Sequence, residues 1–487
     1  MRYYNKINNF FPIHIMRALF FAFIALICAA AVQSCISDDF NESSAVRLRF
    51  STDTVAFDTV FTDLGTPTAR LKVFNTDKKS INISSIRFKN SDSNFSMNVD
   101  GVSGRDFHDV EIRGGDSIFI FIECFIPETQ TAKPFLIEDK LEFITNGTEQ
   151  SVVVEAYGQN VTRLRNTRIS SDVTFTADRP YVVFDSLTVE RGATLTIQPG
   201  AQILFHDKAA MVVEGTLKAV GAPGKMIDFR GDRLDNVLPD VGYDILAGQW
   251  RGIRFASQSF DNEMSYVNMR STKEGLRIDS CGSTDRSKLL LVNSWLHNSE
   301  STALQSKYAK VDAYGCVFSE AAGAAVSLYG GEHRFDQCTL SNYYLFSVIS
   351  DPLLCLYHLF PDDLSDNPAN PLMKAEFQNC ILYGLPGDIN CGDLTGANVY
   401  LDYCLLKSNG NDDDNFRNCI WGEDPLFYTI RSDYYFNYRL QPDSPAIGKG
   451  NPAYLVPLTQ TDMDGDSRLN PPSLGAYALS PENTGGK

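Results

Sequence analysis

The sequence predicts an all-β chain in two parts: a β-sandwich, then a right-handed parallel β-helix closed by a C-terminal cap. Three observations carry this expectation. Between Arg47 and Gly158, short runs of alternating apolar and polar residues recur with turn residues between them. After Val173 the runs shrink to two or three apolar residues, each stopped by Gly or Pro-Gly. From Leu289 onward, a phrase built around one cysteine returns at spacings of 22 or 24 residues.

Residues 1–34 read as a targeting segment. Met16-Arg17 forms a compact basic start, and the apolar run 18–32 follows. That run suits a signal peptide and is short for a bilayer span, which needs ~20 residues. It ends in Val32-Gln33-Ser34-Cys35, which resembles a bacterial lipobox. The resemblance implies cleavage before Cys35, lipidation of Cys35, and a tether over 35–45. Ile36-Ser37-Asp38-Asp39 resembles the surface-export signal of Bacteroidetes lipoproteins; the plainer reading is a solvated linker. The implied partner is the outer membrane, reached through the lipid. The chain then faces either the cell surface or the periplasm.

Over 46–160 the strands are "RLKVFNTD", "INISSIRF", "FSMNV", "DSIFIFIECFIP", "DKLEFITNG" and "SVVVEAYG". Alternation of this kind half-buries each strand, as a two-sheet sandwich requires. The order V-x-N, F-S-x-N, P, T-N-G, V-x-A-x-G resembles immunoglobulin-like ASH-type domains of exported bacterial proteins. Such domains usually act as spacers or adhesion modules.

Over 165–448 the strands are too short to stand alone and need stacked copies of themselves. "SLTVERGATLTIQPGAQILF", "AAMVVEGTLKAVG", "KMIDFRG" and "GQWRGIRF" begin the series. The cysteine phrase follows at Cys316, Cys338, Cys380 and Cys404, with Ser294 in the same place one copy earlier. Cys338 and Cys380 lie 42 residues apart, which predicts one coil plus an insertion at 352–373. "TALQS", "AAVSL", "LFSVI" and "DINCG" are expected as the second short strand of each coil. The period also suits leucine-rich repeats, but their Leu and Asn consensus is absent. Coils stack at ~4.8 Å, so equivalent side chains form columns. The cysteines are expected as reduced, inward packing at a bend. Disulfides between coils are the rival, although parallel stacked Cβ vectors point the wrong way for them. The segment "DSPAIGKGNP … DMDGDSRLNPPSLGAYALSP" resembles the C-terminal closure of exported β-helix proteins, giving a cap over 449–487. This part of the chain resembles the pectate-lyase-like superfamily, which includes polysaccharide lyases, glycosidases, esterases and non-catalytic adhesins. A shared fold leaves function open.

Net charge is −17, which excludes nucleic acid as a partner, because phosphate binding needs a clustered basic face. The same charge disfavours tight metal-free binding of a polyanion. No CxxC, P-loop, Gly-x-Ser-x-Gly elbow or polygalacturonase-like paired Asp with Gly-His-Gly occurs. His333 falls on an inward position and is expected in the core.

Three sets of residues can carry chemistry. Asp312, Arg334 and Glu376 are expected to face outward on successive coils. A lyase of the resembled superfamily uses carboxylates for Ca²⁺ and Arg as base; the alternative is a cross-strand ion ladder. Trp295, Val317, Thr339, Ile381 and Leu405 form a second, largely apolar outward column. It is either covered by the 352–373 insertion or left as a ligand-binding strip. Asp462, Asp464 and Asp466 flank Gly465 and can hold Ca²⁺, or form a turn neutralised by Arg468. The spacing excludes an EF-hand. The leading expectation is non-catalytic binding of a polysaccharide or other surface ligand. A polysaccharide lyase or glycoside hydrolase, and a purely structural surface protein, are the alternatives.

Overall fold

The computed structural model describes residues 39–66, 68–131, 133–238, 241–361, 370–430 and 434–479. The segment expected as a signal peptide, Cys35 and the start of the expected tether lie outside them. The described chain is all-β, with helix confined to single 3-10 turns. Contacts divide it into two units. The first takes in the chain up to Phe57 together with Gly65–Phe125 and Ile137–Ala156; the second takes in Asp58–Leu64, Ile126–Leu136 and everything from Tyr157 onward.

The first unit holds a five-stranded and a six-stranded sheet. "INISSIRF" forms Ile81–Phe88 and "FSMNV" forms Phe95–Val99, as alternation predicts. Leu71 pairs with Ile120 across antiparallel strands, with Val73 and Ile122 on the same two strands, and all four are fully buried. Arg70 and Lys72 instead lie over the exposed ring of Phe119, keeping a cation beside each apolar outward position.

Three parallel ladders make up the second unit. One sheet of ten strands runs from Val173–Phe175 to Phe416–Arg417. Its later members are Leu289–Val292, Lys310–Tyr314, Gly331–Asp336, Leu372–Gln378 and Asn398–Asp402. A second ladder includes Val267–Thr272, Trp295–Ser299, Val317–Ala321, Thr339–Leu340, Ile381–Leu382 and Leu405–Leu406. A third includes Gly252–Phe255, Leu276–Ile278, Leu304–Lys307, Val326–Tyr329, Leu354–Tyr357 and Ile389–Cys391.

The cysteine marks a bend between the first and second ladders. The residue before it is left-handed in every copy: Asn293, Gly315, Gln337, Asn379, Tyr403 and Asn418 have φ between 43° and 65°. Asn and Gly tolerate that conformation best. The bend turns the next side chain into a narrow corner, where Cys316, Cys338, Cys380 and Cys404 are fully buried. Three of the thiols find a carbonyl on the previous coil's strand of the first ladder: Cys338 Sγ reaches Ala313 O at 3.6 Å, Cys380 Sγ Phe335 O at 3.3 Å and Cys404 Sγ Phe377 O at 3.4 Å. Ser294 Oγ does the same with Met264 O at 3.2 Å. Burial pushes the Cys338 and Cys404 thiols well above their ordinary range. All nine described cysteines are free thiols, and only Cys391 is exposed. In a soluble form starting at Ile36, a thiol reagent should therefore modify Cys391 first and half-buried Cys419 more slowly. The remaining thiols should react only on unfolding. Peptide mass mapping reads this order, and early loss of Cys338 or Cys380 would contradict the ladder.

Two placements differ from the sequence expectation. "LFSVI" is no strand: Val348 is 89% exposed, whereas Leu354 and Leu356 of the expected insertion point inward and are buried. The strand Leu354–Tyr357 completes this coil in register with Val326–Tyr329. The chain therefore leaves the coil twice, before and after that strand, and spacing alone cannot place the strand between two loops. The C-terminal segment also departs from an end cap. It packs along the flank of the second ladder, where Phe427, Tyr438, Leu440, Leu474 and Tyr477 form one core cluster with Val317, Ile381 and Leu405.

Candidate functional site

That flank cover corrects the expectation of a binding strip. Val317 and Leu405 are 0% exposed, and Thr339 and Ile381 are 1%. Thr339 Oγ1 accepts Ala476 N–H at 3.0 Å. The stripe is apolar because Phe427, Tyr438, Leu440, Leu474 and Tyr477 pack on it, and the described residues of the 352–373 insertion take no part in that cluster. Trp295, at the N-terminal end of the column, escapes and stays half-buried.

Asp312, Arg334 and Glu376 do fall in register on neighbouring strands, with Leu290 before and Tyr400 after them. The ion pairs of Arg334 and Glu376, however, lie along their own strands, and Asp312 accepts from Ser287. Arg334 Nη2 reaches Asp336 Oδ2 at 2.7 Å, and Lys374 Nζ reaches Glu376 Oε2 at 2.8 Å. Burial is the largest influence on Arg334 and favours its neutral form, but the hydrogen bond and charge of Asp336, with Tyr314 and Glu376, together outweigh it and raise the guanidinium pKa. A base must first lose that proton, which the pairing with Asp336 disfavours. Burial also raises Asp312, against the pull of Lys310 and Arg334. The column is an ion-paired sheet face.

Asp462, Asp464 and Asp466 bring one oxygen each within 4.8 Å of the others. Asp462 Oδ1 accepts the N–H groups of Asp464 and Asp466, and its Oδ2 accepts Ala478 N–H at 2.7 Å. Asp464 faces Arg439 with both oxygens. These bonds build a turn and leave a poor donor set for Ca²⁺, which needs six to eight oxygens. Arg468 is buried and donates to the Gly475 and Ala476 carbonyls. His333 is a buried core residue, with Nε2 2.8 Å from Gly330 O, and burial lowers it to about 4.

The site that does assemble is a pocket of about 290 Å³ beside Trp295. Its floor comes from the second ladder: Arg270, Trp295, His297, Asn298 and Glu320. Its walls come from three segments outside the coil strands: Val241 to Ile245, Tyr344 to Phe346, and Tyr434 to Phe436. Aromatic rings dominate them. Phe346 is 44% exposed and Tyr435 is 59%, a large apolar area to leave in water without a function. Phe346 and Tyr434 stand parallel at 6.5 Å, and Trp295 stacks on His297 at 4.2 Å.

Hydrogen bonds fix this floor. Trp295 Nε1 donates to Ser319 Oγ at 2.7 Å, and Ser319 donates to Glu320 Oε2 at 2.6 Å. The Tyr438 hydroxyl closes on Glu320 Oε1. His297 lies 3.0 Å from Asn268 Oδ1; burial, then Arg270, holds its pKa well below the usual value. Asp244 is shared by Arg270 at 3.3 Å and Arg230 at 3.6 Å. Asn298 donates to the Asp244 and Ile245 carbonyls and ties that wall to the floor.

Glu320 is the unusual member. Ser271, Asn298 and Glu320 occupy the left-handed position of three successive coils, with φ of 63°, 56° and 41°. Ser and Asn are short polar residues suited to that place; a long carboxylic acid there is a strained choice that points to function. Burial raises Glu320 from an ordinary 4.5 to about 7. The folded chain therefore keeps a proton that the unfolded chain gives up. The resulting stability is complete below about pH 4.5 and is lost as pH rises through about 7. Glu320→Gln should match the natural protein in melting temperature near pH 4 and exceed it near pH 8.5, by roughly 3 kcal/mol at full deprotonation. Thermal unfolding at the two pH values checks this, and a difference independent of pH would contradict it.

No protein-family model matches the chain, and no curated protein matches it. Among solved structures, a Porphyromonas gingivalis protein of unknown function is 15% identical with a TM-score of 0.18; the match covers 25% of this chain and 59% of that one. A family 123 glycoside hydrolase from Clostridium perfringens is 10% identical with a TM-score of 0.18, over 26% of this chain and 31% of its own. A Pseudomonas fluorescens alkylpurine DNA glycosylase bound to DNA is 11% identical with a TM-score of 0.16, over 24% and 31%. The chain thus spans little over half of the first of these proteins and about a third of the others. Scores this low mark no shared fold.

Sequence reasoning reached Trp295 and passed over Glu320, Tyr344, Phe346, Tyr434 and Tyr435. The signal available was two aromatic clusters, "YYLF" and "YYFNY", that fall outside the repeating phrase.

Proposed function

We propose that this chain is a lipoprotein of the outer membrane, displayed at the cell surface, that binds glycan through the aromatic pocket beside Trp295. In this reading an immunoglobulin-like sandwich carries a right-handed parallel β-helix away from a lipid on Cys35. One observation carries the function: exposed aromatic rings gathered around a floor of fixed hydrogen-bonding groups. A sugar ring offers an apolar C–H face and a rim of hydroxyls. It matches walls such as Phe346 and Tyr435 and a polar edge such as Arg270, His297 and Asn298.

A second reading is hydrolysis of a glycosidic bond. It is favoured by two carboxyls in one pocket with opposed environments: Glu320, raised to about 7 by burial, and Asp244, held between two guanidiniums. Glu320 suits the acid of such a reaction, and Asp244 supplies the second carboxyl. One experiment separates the readings. The soluble form starting at Ile36 is mixed with plant, host and microbial polysaccharides, with and without Ca²⁺, following retention on the polymer and release of new reducing ends. Retention without release is expected; release lost in Glu320→Gln would establish the hydrolase instead, and neither signal would leave a structural role. Protease added to whole cells should degrade the protein, and full protection would place it on the periplasmic face.

A further inference from the structure

The pocket is closed in both directions along the stack of coils. Toward the C-terminus, the positions that follow Trp295 on the next coils are Val317, Thr339, Ile381 and Leu405, and all four are buried beneath the flank cover. A chain lying along the stack has no open surface there. On the other side stands the wall of Val241 to Ile245. Ser271 Oγ and Asn298 Nδ2 both donate to Asp244 O, at 2.7 and 2.9 Å, so this wall is pinned to two coils at once. The volume of about 290 Å³ sits at the lower edge of the ~300–1,000 Å³ usual for ligand pockets. That is room for a sugar ring or two and not for a polymer segment.

We propose that the pocket receives the terminal sugar of a glycan, with the rest of the chain leaving through its mouth, and does not bind the interior of a polysaccharide. This rests on the glycan reading above and specifies it. Trp295 and Tyr435 would flank the terminal ring, and Glu320 and Arg270 would meet its hydroxyls from the floor. Lengthening the chain behind that sugar adds atoms outside the walls, so affinity should plateau at once. Replacing the terminal sugar by a different one, as trimming does wherever the next residue differs, should abolish binding, because the new end presents different hydroxyls to fixed partners.

The test is an array of host and plant oligosaccharides, each printed intact and after trimming of its terminal sugars by exoglycosidases. Linear maltoheptaose and linear β-1,2-glucan are included beside their cyclic counterparts, which have no ends. The expected result is hits that fall at least ten-fold where trimming changes the terminal sugar, change less than two-fold with chain length where the terminal sugar is kept, and exclude the cyclic forms. Tyr435→Ala, at an exposed ring, should weaken the same hits at least ten-fold while leaving the β-sheet circular dichroism unchanged. Hits that survive a change of terminal sugar, grow with chain length, include cyclic forms, or ignore Tyr435→Ala would overturn end recognition while leaving glycan binding in place. An array with no hits would remove the glycan reading and this inference together.

Discussion

Replacing Trp295 by Ala is expected to weaken binding of a retained glycan by roughly thirty-fold, about 2 kcal/mol, the loss typical of a central aromatic anchor. The ring contributes in two ways. Its face forms part of the pocket floor, stacked on His297, and its N–H feeds the chain through Ser319 to Glu320. Truncation removes the stacking surface and frees Ser319 to reorient, so Glu320 loses a fixed partner. Trp295→Phe separates these contributions. It keeps an aromatic face without the donor, and should recover part of the affinity while lowering the melting temperature slightly. Isothermal titration with a glycan retained by the natural protein reads both variants. Equal affinity for Trp295→Ala and the natural protein would mean that the pocket is not the site.

Arg334→Ala should behave in the opposite way, leaving binding intact and destabilising the fold. The side chain of Asp336 is wholly buried, and one oxygen, Oδ1, has no protein partner; the other faces Arg334. Without the cation, Asp336 must keep its proton or ionise unpaired, which costs about 1 kcal/mol by pH 8, one unit above its value in the natural fold. The sign with pH follows from Asp336, which burial raises from 3.8 to about 7 despite its partner. Near pH 5 the folded state already holds the proton, so the missing guanidinium matters little. As pH rises through about 7, the natural protein can ionise Asp336 against Arg334 and the variant cannot. The stability gap should therefore widen from about pH 5 to about pH 8, which denaturant unfolding at the two pH values would show. Lost glycan binding at full stability would return attention to the Asp312, Arg334 and Glu376 face.

The contrast between these residues shows what the sequence made legible. The cysteine phrase carried the architecture because one physical constraint recurs in it: a left-handed corner followed by a small inward side chain. Asn379-Cys380 and Gly315-Cys316 state that constraint openly. Register followed, so Leu290, Asp312, Arg334, Glu376 and Tyr400 could be aligned without coordinates, and the structure aligns them the same way. Where chains leave the repeat, the pattern falls silent. "LFSVI" and "LLCLY" alternate equally well, and only packing assigns the strand to Leu354–Tyr357. The apolar column from Val317 to Leu405 was visible as an anomaly. Its cover comes from residues over a hundred positions away from Val317, however, and no period connects Tyr438 with Glu320. The pocket is built from three such excursions, so its residues carried composition as a signal and no register.

The most direct test of the account is amide hydrogen exchange of the soluble protein with and without a retained glycan. Glycan binding in the aromatic pocket predicts added protection confined to residues 241–245, 295–298, 344–346 and 434–436. Protection instead along the strands Lys310–Tyr314, Gly331–Asp336 and Leu372–Gln378, with none in the aromatic walls, would contradict it.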